Sequence, residues 1–253
     1  MIRFENVIKV LSGKPVLNGI DFEIGRGETF CIVGASGAGK SVTLKHMVRL
    51  MTPDEGRIWV GEDDISSATG EELARLRNRF GYLFQSAALL AWLSVAENVA
   101  LPLREKHEVA NDEILDRVHE TLKMVGLEND GEKLPSEISG GMRKRAGLAR
   151  AIVENPQIIL YDEPTSGLDP VTSRTIDRLI HRLRENLGVT SVVVTHDLHS
   201  ALAIGTRIAM LHQGSVAELA TPEAFMESSN EEVQRFLASQ YITKEAPWER
   251  DLQ

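Results

Sequence analysis

The 253-residue chain contains a single cysteine, so no disulfide can form within it. That residue sits in the apolar run Thr29-Phe30-Cys31-Ile32-Val33, which marks the thiol as a buried structural group suited to a reducing compartment. No stretch approaches the ~20 consecutive apolar residues that a membrane-crossing helix requires, and the start, Met1-Ile2-Arg3-Phe4-Glu5, lacks the apolar region of a secretion signal. A role at a membrane must therefore come through a partner. An excess of positive charge is missing as well: the formal charge is −9 at pH 7, which argues against non-specific nucleic-acid binding despite the local cluster Arg143-Lys144-Arg145. There is no internal repeat and no low-complexity segment. What is present is a globular composition, 42% hydrophobic, in a chain long enough to bury one large domain, with or without a sub-domain.

The clearest local signal is Gly34-Ala35-Ser36-Gly37-Ala38-Gly39-Lys40-Ser41, placed between the apolar run 29–33 and a helical pattern over 40–51. Strand, glycine-rich loop and helix in that order form a phosphate-binding loop, because glycines let successive backbone N–H groups turn toward an anion. In such a loop Lys40 reaches the β- and γ-phosphates and Ser41 offers its hydroxyl to Mg²⁺. The positive end of the helix that starts there faces the same charge.

Around this loop, residues 2–10 and 16–24 read as antiparallel strands about the turn Ser12-Gly13-Lys14-Pro15, and 57–60 as a short strand. Residues 71–78 read as a charged surface helix and 79–84 as a strand ending at Gln85. From 86 to about 155 the pattern is helical, over 95–101, 111–125 and 141–154, with Ile114, Leu115, Val118, Leu122 and Val125 as the apolar positions of the second. Strands at 157–161, 190–195, 206–212 and 215–219 then alternate with helices at 171–187 and 197–203. That alternation predicts an α/β fold with a parallel sheet covered on both faces. From Pro222 the chain reads as one or two short helices and a polar stretch over 244–253.

Two further constellations carry chemistry. Ile158-Ile159-Leu160-Tyr161 is a buried strand ending in Asp162-Glu163, which puts two carboxylates at the sheet edge where ligands of α/β sheets bind. Asp162 is placed to hold Mg²⁺ through water, and Glu163 to polarise the water that attacks the γ-phosphate. The other is Ser139-Gly140-Gly141-Met142, which opens a helix and offers a second anion-binding N-terminus. A phosphate there would account for Arg143, Lys144 and Arg145 at a helix end that disfavours cations. The plainer alternative is a serine N-cap beside a solvated basic face.

With these residues together, the chain resembles the ATP-binding-cassette (ABC) ATPases to about residue 220. Residues 34–41 are similar to the family's Walker A, Gln85 to its Q-loop, Ser139-Gly140-Gly141 to its signature and 158–163 to its Walker B. Ser166-Gly167-Leu168-Asp169 is similar to its D-loop, and His196 to its switch histidine. The resemblance implies a P-loop NTPase core with a RecA-like parallel sheet and an antiparallel N-terminal β subdomain. It also implies an all-helical subdomain inserted at about 86–155 of a domain spanning 1–225, with a helical extension and tail over 226–253. Implied ligands are ATP and Mg²⁺. Gly34, Ala35, Ser36, Gly37, Ala38, Gly39, Lys40, Ser41 and Val42 would hold the nucleotide, and Ser41, Gln85 and Asp162 the metal. Glu163, Gln85 and His196 would be catalytic, with His196 on the γ-phosphate. Ser139, Gly140 and Gly141 would complete the nucleotide site of a second copy, in a head-to-tail homodimer, and Asp169 would also contact the nucleotide.

Finer features resemble the ATPases of Mla-type phospholipid transporters, whose membrane permeases work with lipid-binding MCE proteins and a small accessory protein. They are Phe84-Gln85-Ser86-Ala87-Ala88-Leu89, Glu97-Asn98-Val99-Ala100-Leu101-Pro102-Leu103, Met142, Val194-Thr195-His196-Asp197-Leu198 and Val233-Gln234-Arg235-Phe236-Leu237. The implied place is peripheral, at the cytoplasmic face of the inner membrane, with no nucleic-acid partner. The alternatives are an ATPase of an importer or exporter for another substrate, and a soluble cassette without a permease. The soluble classes usually carry a long coiled-coil insertion or tandem cassettes, and this chain has neither. Two departures stand out. Leu11-Ser12 replaces the aromatic that most members place under adenine, a loss of about 1 kcal/mol of stacking, and Met142 stands where the signature usually has glutamine.

Overall fold

The computed structural model describes residues 1–105, 110–240 and 242. The polar stretch expected at 244–253 lies outside the described residues. Two compact units are present, one formed by Met1–Leu76 with Val192–Gln253 and the other by Arg77–Ser191. Up to the first boundary the elements are β1 (Ile2–Leu11), β2 (Lys14–Ile24), β3 (Thr29–Val33), α1 (Lys40–Met47), β4 (Glu55–Val60), β5 (Asp63–Asp64) and α2 (Gly70–Arg77). Then follow β6 (Phe80–Leu83), α3 (Val95–Glu105), α4 (Asn111–Met124), α5 (Gly140–Ile152), β7 (Ile158–Asp162) and α6 (Pro170–Leu187). β8 (Thr190–Val194) crosses the second boundary, and α7 (Leu198–Ile204), β9 (Arg207–His212), β10 (Ser215–Ala220), α8 (Pro222–Met226) and α9 (Glu231–Ser239) complete the chain.

In the first unit an antiparallel sheet has the order β2-β1-β4-β5, and a mixed one runs β10-β9-β3-β8. The β1–β2 connection is tighter than the four-residue turn expected. Leu11 pairs with Lys14, leaving only Ser12 (φ 51°) and Gly13 (φ 76°) between the strands, the backbone of a two-residue type I′ hairpin. Every residue of β3 is buried, Cys31 included, and β3 runs parallel to β9. Neighbouring rings join the layers: Phe4 stacks 4.6 Å from Phe22, and Phe22 lies tilted 5.2 Å from Phe30. Burying each such ring contributes about 1.5–3 kcal/mol. Helix α1 stops four residues short of the expected 51 because Arg49 takes a left-handed φ of 52° and Leu50 N turns back to Lys45 O at 2.8 Å.

In the second unit β6 and β7 are parallel, with Tyr82 opposite Leu160. Helix α6 is bracketed as its sequence dictates: Asp169 caps it, Pro170 opens it, and Gly188 ends it at φ 64°. Ile176, Leu179, Ile180 and Leu183 form its buried stripe. On α4, Ile114, Val118 and Leu122 are buried as expected, but Leu115 is 63% exposed. It lies about 100° around the helix from Ile114, off the buried stripe. A 3-10 turn at Pro135–Glu137, not expected from the sequence, leads into α5. β8 enters beside β7, where Thr190 N donates to Gln157 O at 3.0 Å. It leaves in the first unit beside β3, where Thr195 N donates to Ile32 O at 3.1 Å.

Candidate functional site

The expected site residues fall in both units. In the first, the loop 34–39 leaves the end of β3 and enters α1. Gly34 has φ 146°, and a Cβ there would stand 2.3 Å from Leu211 O, whereas Gly37, at φ 81°, has no atom within 4 Å of such a position. Lys40 is 7% exposed, and its Nζ donates to Gly34 O at 2.8 Å and Ala35 O at 3.1 Å, which sets its ammonium inside the loop. Ser41 and Val42 follow on the first turn of α1, half-buried, and Thr43 Oγ1 donates to Gly39 O at 3.0 Å. His196 is exposed just past β8. The bond from Thr195 N to Ile32 O puts its strand end beside the start of the loop. The geometry predicts that Gly37→Ala costs about 1–2 kcal/mol of backbone strain, while Gly34→Ala costs roughly twice that or more through added overlap with main chain. Denaturant unfolding of both variants measures the order.

In the second unit, Asp162 ends β7 and Glu163 follows it, and both are buried, at 6% and 8% exposure. Tyr82, across the strand pair, donates its hydroxyl to Asp162 Oδ2 at 3.3 Å. Burial and the Asp162 charge hold that phenol protonated well above its ordinary range. Glu163 has φ 49°, a conformation that costs a non-glycine residue about 1–3 kcal/mol and is concentrated at functional sites. The exposed Gln85 follows β6, and its main-chain carbonyl accepts from Lys144 Nζ at 2.5 Å; the same ammonium donates to Glu163 O at 2.8 Å.

Ser139 is the N-cap of α5, its Oγ accepting from Met142 N at 3.2 Å. At Gly141 a Cβ would stand 2.4 Å from Thr172 Cγ2, so the starts of α5 and α6 are in close contact. Asp169 accepts from Val171 N and Thr172 N, both at 3.0 Å, and from the Thr172 hydroxyl; these bonds hold its carboxyl below the usual range. The basic cluster after the signature is explained by carbonyl oxygens within the chain. Arg143 donates to Ile138 O at 2.8 Å, Lys144 to the two carbonyls above, and Arg145 to Val125 O at 2.9 Å and Gly126 O at 2.6 Å. A bound phosphate is therefore not needed to account for these three cations. The contacts of Tyr82, Lys144 and Arg150, the last donating to Ala87 O and Ala88 O at 2.8 and 2.7 Å, are not readable from the sequence. Only the β6–β7 register and the packing of α5 bring them to the site.

Among the described residues no cluster of three or more His, Cys, Asp or Glu side chains could cage a metal. Mg²⁺ does not require one, since it is held by one or two protein oxygens together with nucleotide phosphates and water. The Ser41 hydroxyl and the Asp162 carboxylate are hard oxygen donors of that kind.

Residues 17–166 match the ABC transporter family. A probable ribonucleotide transport ATP-binding protein, mkl, of Mycobacterium leprae (strain TN) is 39% identical over 241 residues, covering 95% of this chain and 70% of that protein. A methionine import ATP-binding protein, MetN, of Xanthomonas euvesicatoria pv. vesicatoria is 38% identical over 256 residues, covering 99% of this chain and 76% of its own. Among solved structures, the dimeric ATP-binding cassette MJ0796, in a post-hydrolysis state with ADP and Pi, aligns with a TM-score of 0.80 at 35% identity, covering 88% of this chain and 99% of that one. The cassette cbiO1 of Clostridium perfringens, part of the transporter complex cbiONQ, aligns with a TM-score of 0.83 at 28% identity over 94% of both chains. The architecture is thus that of a P-loop NTPase cassette, which binds ATP with Mg²⁺ and hydrolyses it. On these matches the chain belongs to the ABC transporter family, as an ATPase subunit.

Proposed function

We propose that this ATPase drives a membrane transporter that moves phospholipid, of the Mla type, working as a homodimer with integral permease subunits, a lipid-binding MCE protein and a small accessory protein. Its place is then the cytoplasmic face of the inner membrane, as a peripheral subunit. Among the described residues no helix is long and apolar enough to cross a membrane. The observation that carries the reading is the segment after Gln85, which resembles Mla-type chains in sequence and presents an apolar residue on a fixed support. Trp92 is 74% exposed. The loop that carries it is held by Asn98, fully buried, whose amide donates to Leu90 O, Leu93 O and Ser94 O at 3.1, 3.1 and 2.9 Å and accepts from Leu90 N at 2.7 Å. An exposed aromatic side chain carried on a braced loop suits a cytoplasmic helix of a permease. Leu89, Leu90 and Leu93 are half-buried, shared between that surface and the interior of the unit.

In this reading Gly34, Ala35, Ser36, Gly37, Ala38, Gly39, Lys40, Ser41 and Val42 hold the phosphates. Ser41, Gln85 and Asp162 supply oxygen to Mg²⁺, which when bound neutralises charge on the phosphates. Glu163 accepts a hydrogen bond from the attacking water and aligns it, and His196 contacts the γ-phosphate. Ser139, Gly140 and Gly141 serve the nucleotide held by the partner chain, and Asp169 also contacts nucleotide. Val10 and Leu11, 42% and 36% exposed at the hairpin tip, supply an apolar surface for adenine in place of an aromatic ring.

A second reading, import of a small polar solute, is favoured by the identity to the MetN protein over 99% of this chain. Purifying the native complex and identifying its membrane subunit and bound substrate separates the two. Co-purified phospholipid with an MCE protein is expected; a solute-binding protein with an amino acid or nucleotide would overturn the lipid assignment. Crosslinking from residue 92 is expected to capture the permease, and Trp92→Ala to weaken that assembly by about tenfold or more while ATP binding by the isolated subunit is unchanged.

A further inference from the structure

We propose that Lys144 is a positioning residue that ties the reacting carboxylate, the glutamine segment and the signature helix to one point, so that a shift in any of them is felt by the other two. The proposal rests on the assignment of Glu163 and Gln85 made above.

Lys144 lies on α5, just over one turn after the signature serine, and is 5% exposed. Its ammonium donates to the main-chain carbonyls of Gln85 (2.5 Å) and Glu163 (2.8 Å). A buried ammonium whose bonds go to neutral carbonyls is costly. Burial lowers its pKa, and the charges of Glu163 and Asp162 only partly offset that. A methionine would fill the same space without the penalty, so the charge is spent on holding two particular carbonyls.

Both carbonyls belong to backbone held only in part by its own turns: Ser166 N donates to Glu163 O at 3.2 Å and Ala87 N to Phe84 O at 2.8 Å. Glu163 is at φ 49°, and the chain beyond Gln85 turns through Ala87 and Ala88 at φ 61° and 47°. Non-glycine residues persist in such conformations only when their surroundings impose them. Helix α5 adds the side-chain restraint to both. Lys144 takes Gln85 and Glu163, and Arg150, six residues on, takes Ala87 and Ala88. Between them on the same face, Gly147 lets the helix approach, since a Cβ there would stand 3.0 Å from both Ala87 Cβ and Leu83 Cδ1. Because φ at residue 163 sets the direction in which the side chain leaves the main chain, losing the ammonium leaves its carbonyl only the longer bond from Ser166 N and lets the carboxylate drift off the attacking water. The same ammonium transmits a displacement of the Gln85 segment to the base.

The test uses the full chain with Lys144→Met, which keeps volume and removes the donors, and Lys144→Gln, whose amide keeps two donors without charge. Each is made alone and with Glu163→Gln, and kcat, KM, ATP affinity and thermal unfolding are measured. Lys144→Met is expected to lower kcat about 10²-fold with KM and ATP affinity within about threefold, the signature of lost alignment. Lys144→Gln is expected to recover at least about tenfold of that loss, and it carries the test if Lys144→Met does not fold. In the Glu163→Gln background, Lys144→Met is expected to change the residual rate by less than about threefold, since the group it positions is already disabled. An unchanged kcat with raised KM, failure of Lys144→Gln to recover, or fully multiplicative effects in the double variant would each overturn the proposal. If Glu163→Gln itself turned over at the wild-type rate, the base assignment would fall, while the kcat of Lys144→Met would still decide the role of Lys144.

Discussion

Glu163→Gln is expected to bind ATP as the wild type does and to lose turnover by about 10²–10⁴-fold, the usual worth of a positioned general base. The change keeps the shape of the side chain and removes its charge. Two features of the structure confine the effect to chemistry. The φ of residue 163 is held through its main-chain carbonyl, which accepts from Lys144 at 2.8 Å and is untouched by the substitution. Lys40, proposed to meet the phosphates, keeps its bonds to Gly34 O and Ala35 O within the other unit. Equilibrium titration with a fluorescent ATP analogue, beside phosphate release under saturating ATP, separates the two quantities. Equal loss of binding and turnover would show a folding defect, and undiminished hydrolysis would remove Glu163 from its role.

The parts of this molecule that were legible in advance are those whose cause is local. Asp169-Pro170 and Gly188 bracket α6 because a cap, a fixed φ and a left-handed stop are properties of single residues. The β3 run, apolar after Thr29 and followed by glycines, announces a buried strand opening into a phosphate loop for the same reason. What was not legible depends on partners distant in sequence. Tyr82 meets Asp162 only because β6 and β7 pair with Tyr82 opposite Leu160, and nothing in either strand specifies that register. Lys144 reads as one more cation in a basic run until α5 is laid against residues 83–88, where Gly147 permits the approach. The early end of α1 at Arg49 is an intermediate case. The guanidinium donates to Ala68 O at 2.5 Å, a contact across nineteen positions that supports a left-handed turn arginine would not adopt alone.

We propose, on the resemblance to the family, that each nucleotide is held between two chains and that the signature of one serves the other copy. Ser139 caps its own helix and remains exposed, with Gly140 half-buried beside it. Lys40→Ala is expected to remove the ammonium that meets the phosphates, and Ser139→Arg to block the partner's nucleotide with bulk. Either homodimer is then inactive. If catalysis is assembled across subunits, a dimer with one defect in each chain has one site carrying both defects and one carrying neither. A dimer of a wild-type chain with a chain carrying both changes has one defect in each site. Construction within one chain would reverse these assignments.

The most direct measurement is therefore the ATPase rate of these two purified heterodimers, isolated through different tags on their two chains. An account in which two copies share each site predicts about half of wild-type activity from the split pair and almost none from the wild-type and doubly substituted pair. Activity in the second pair and none in the first would contradict it.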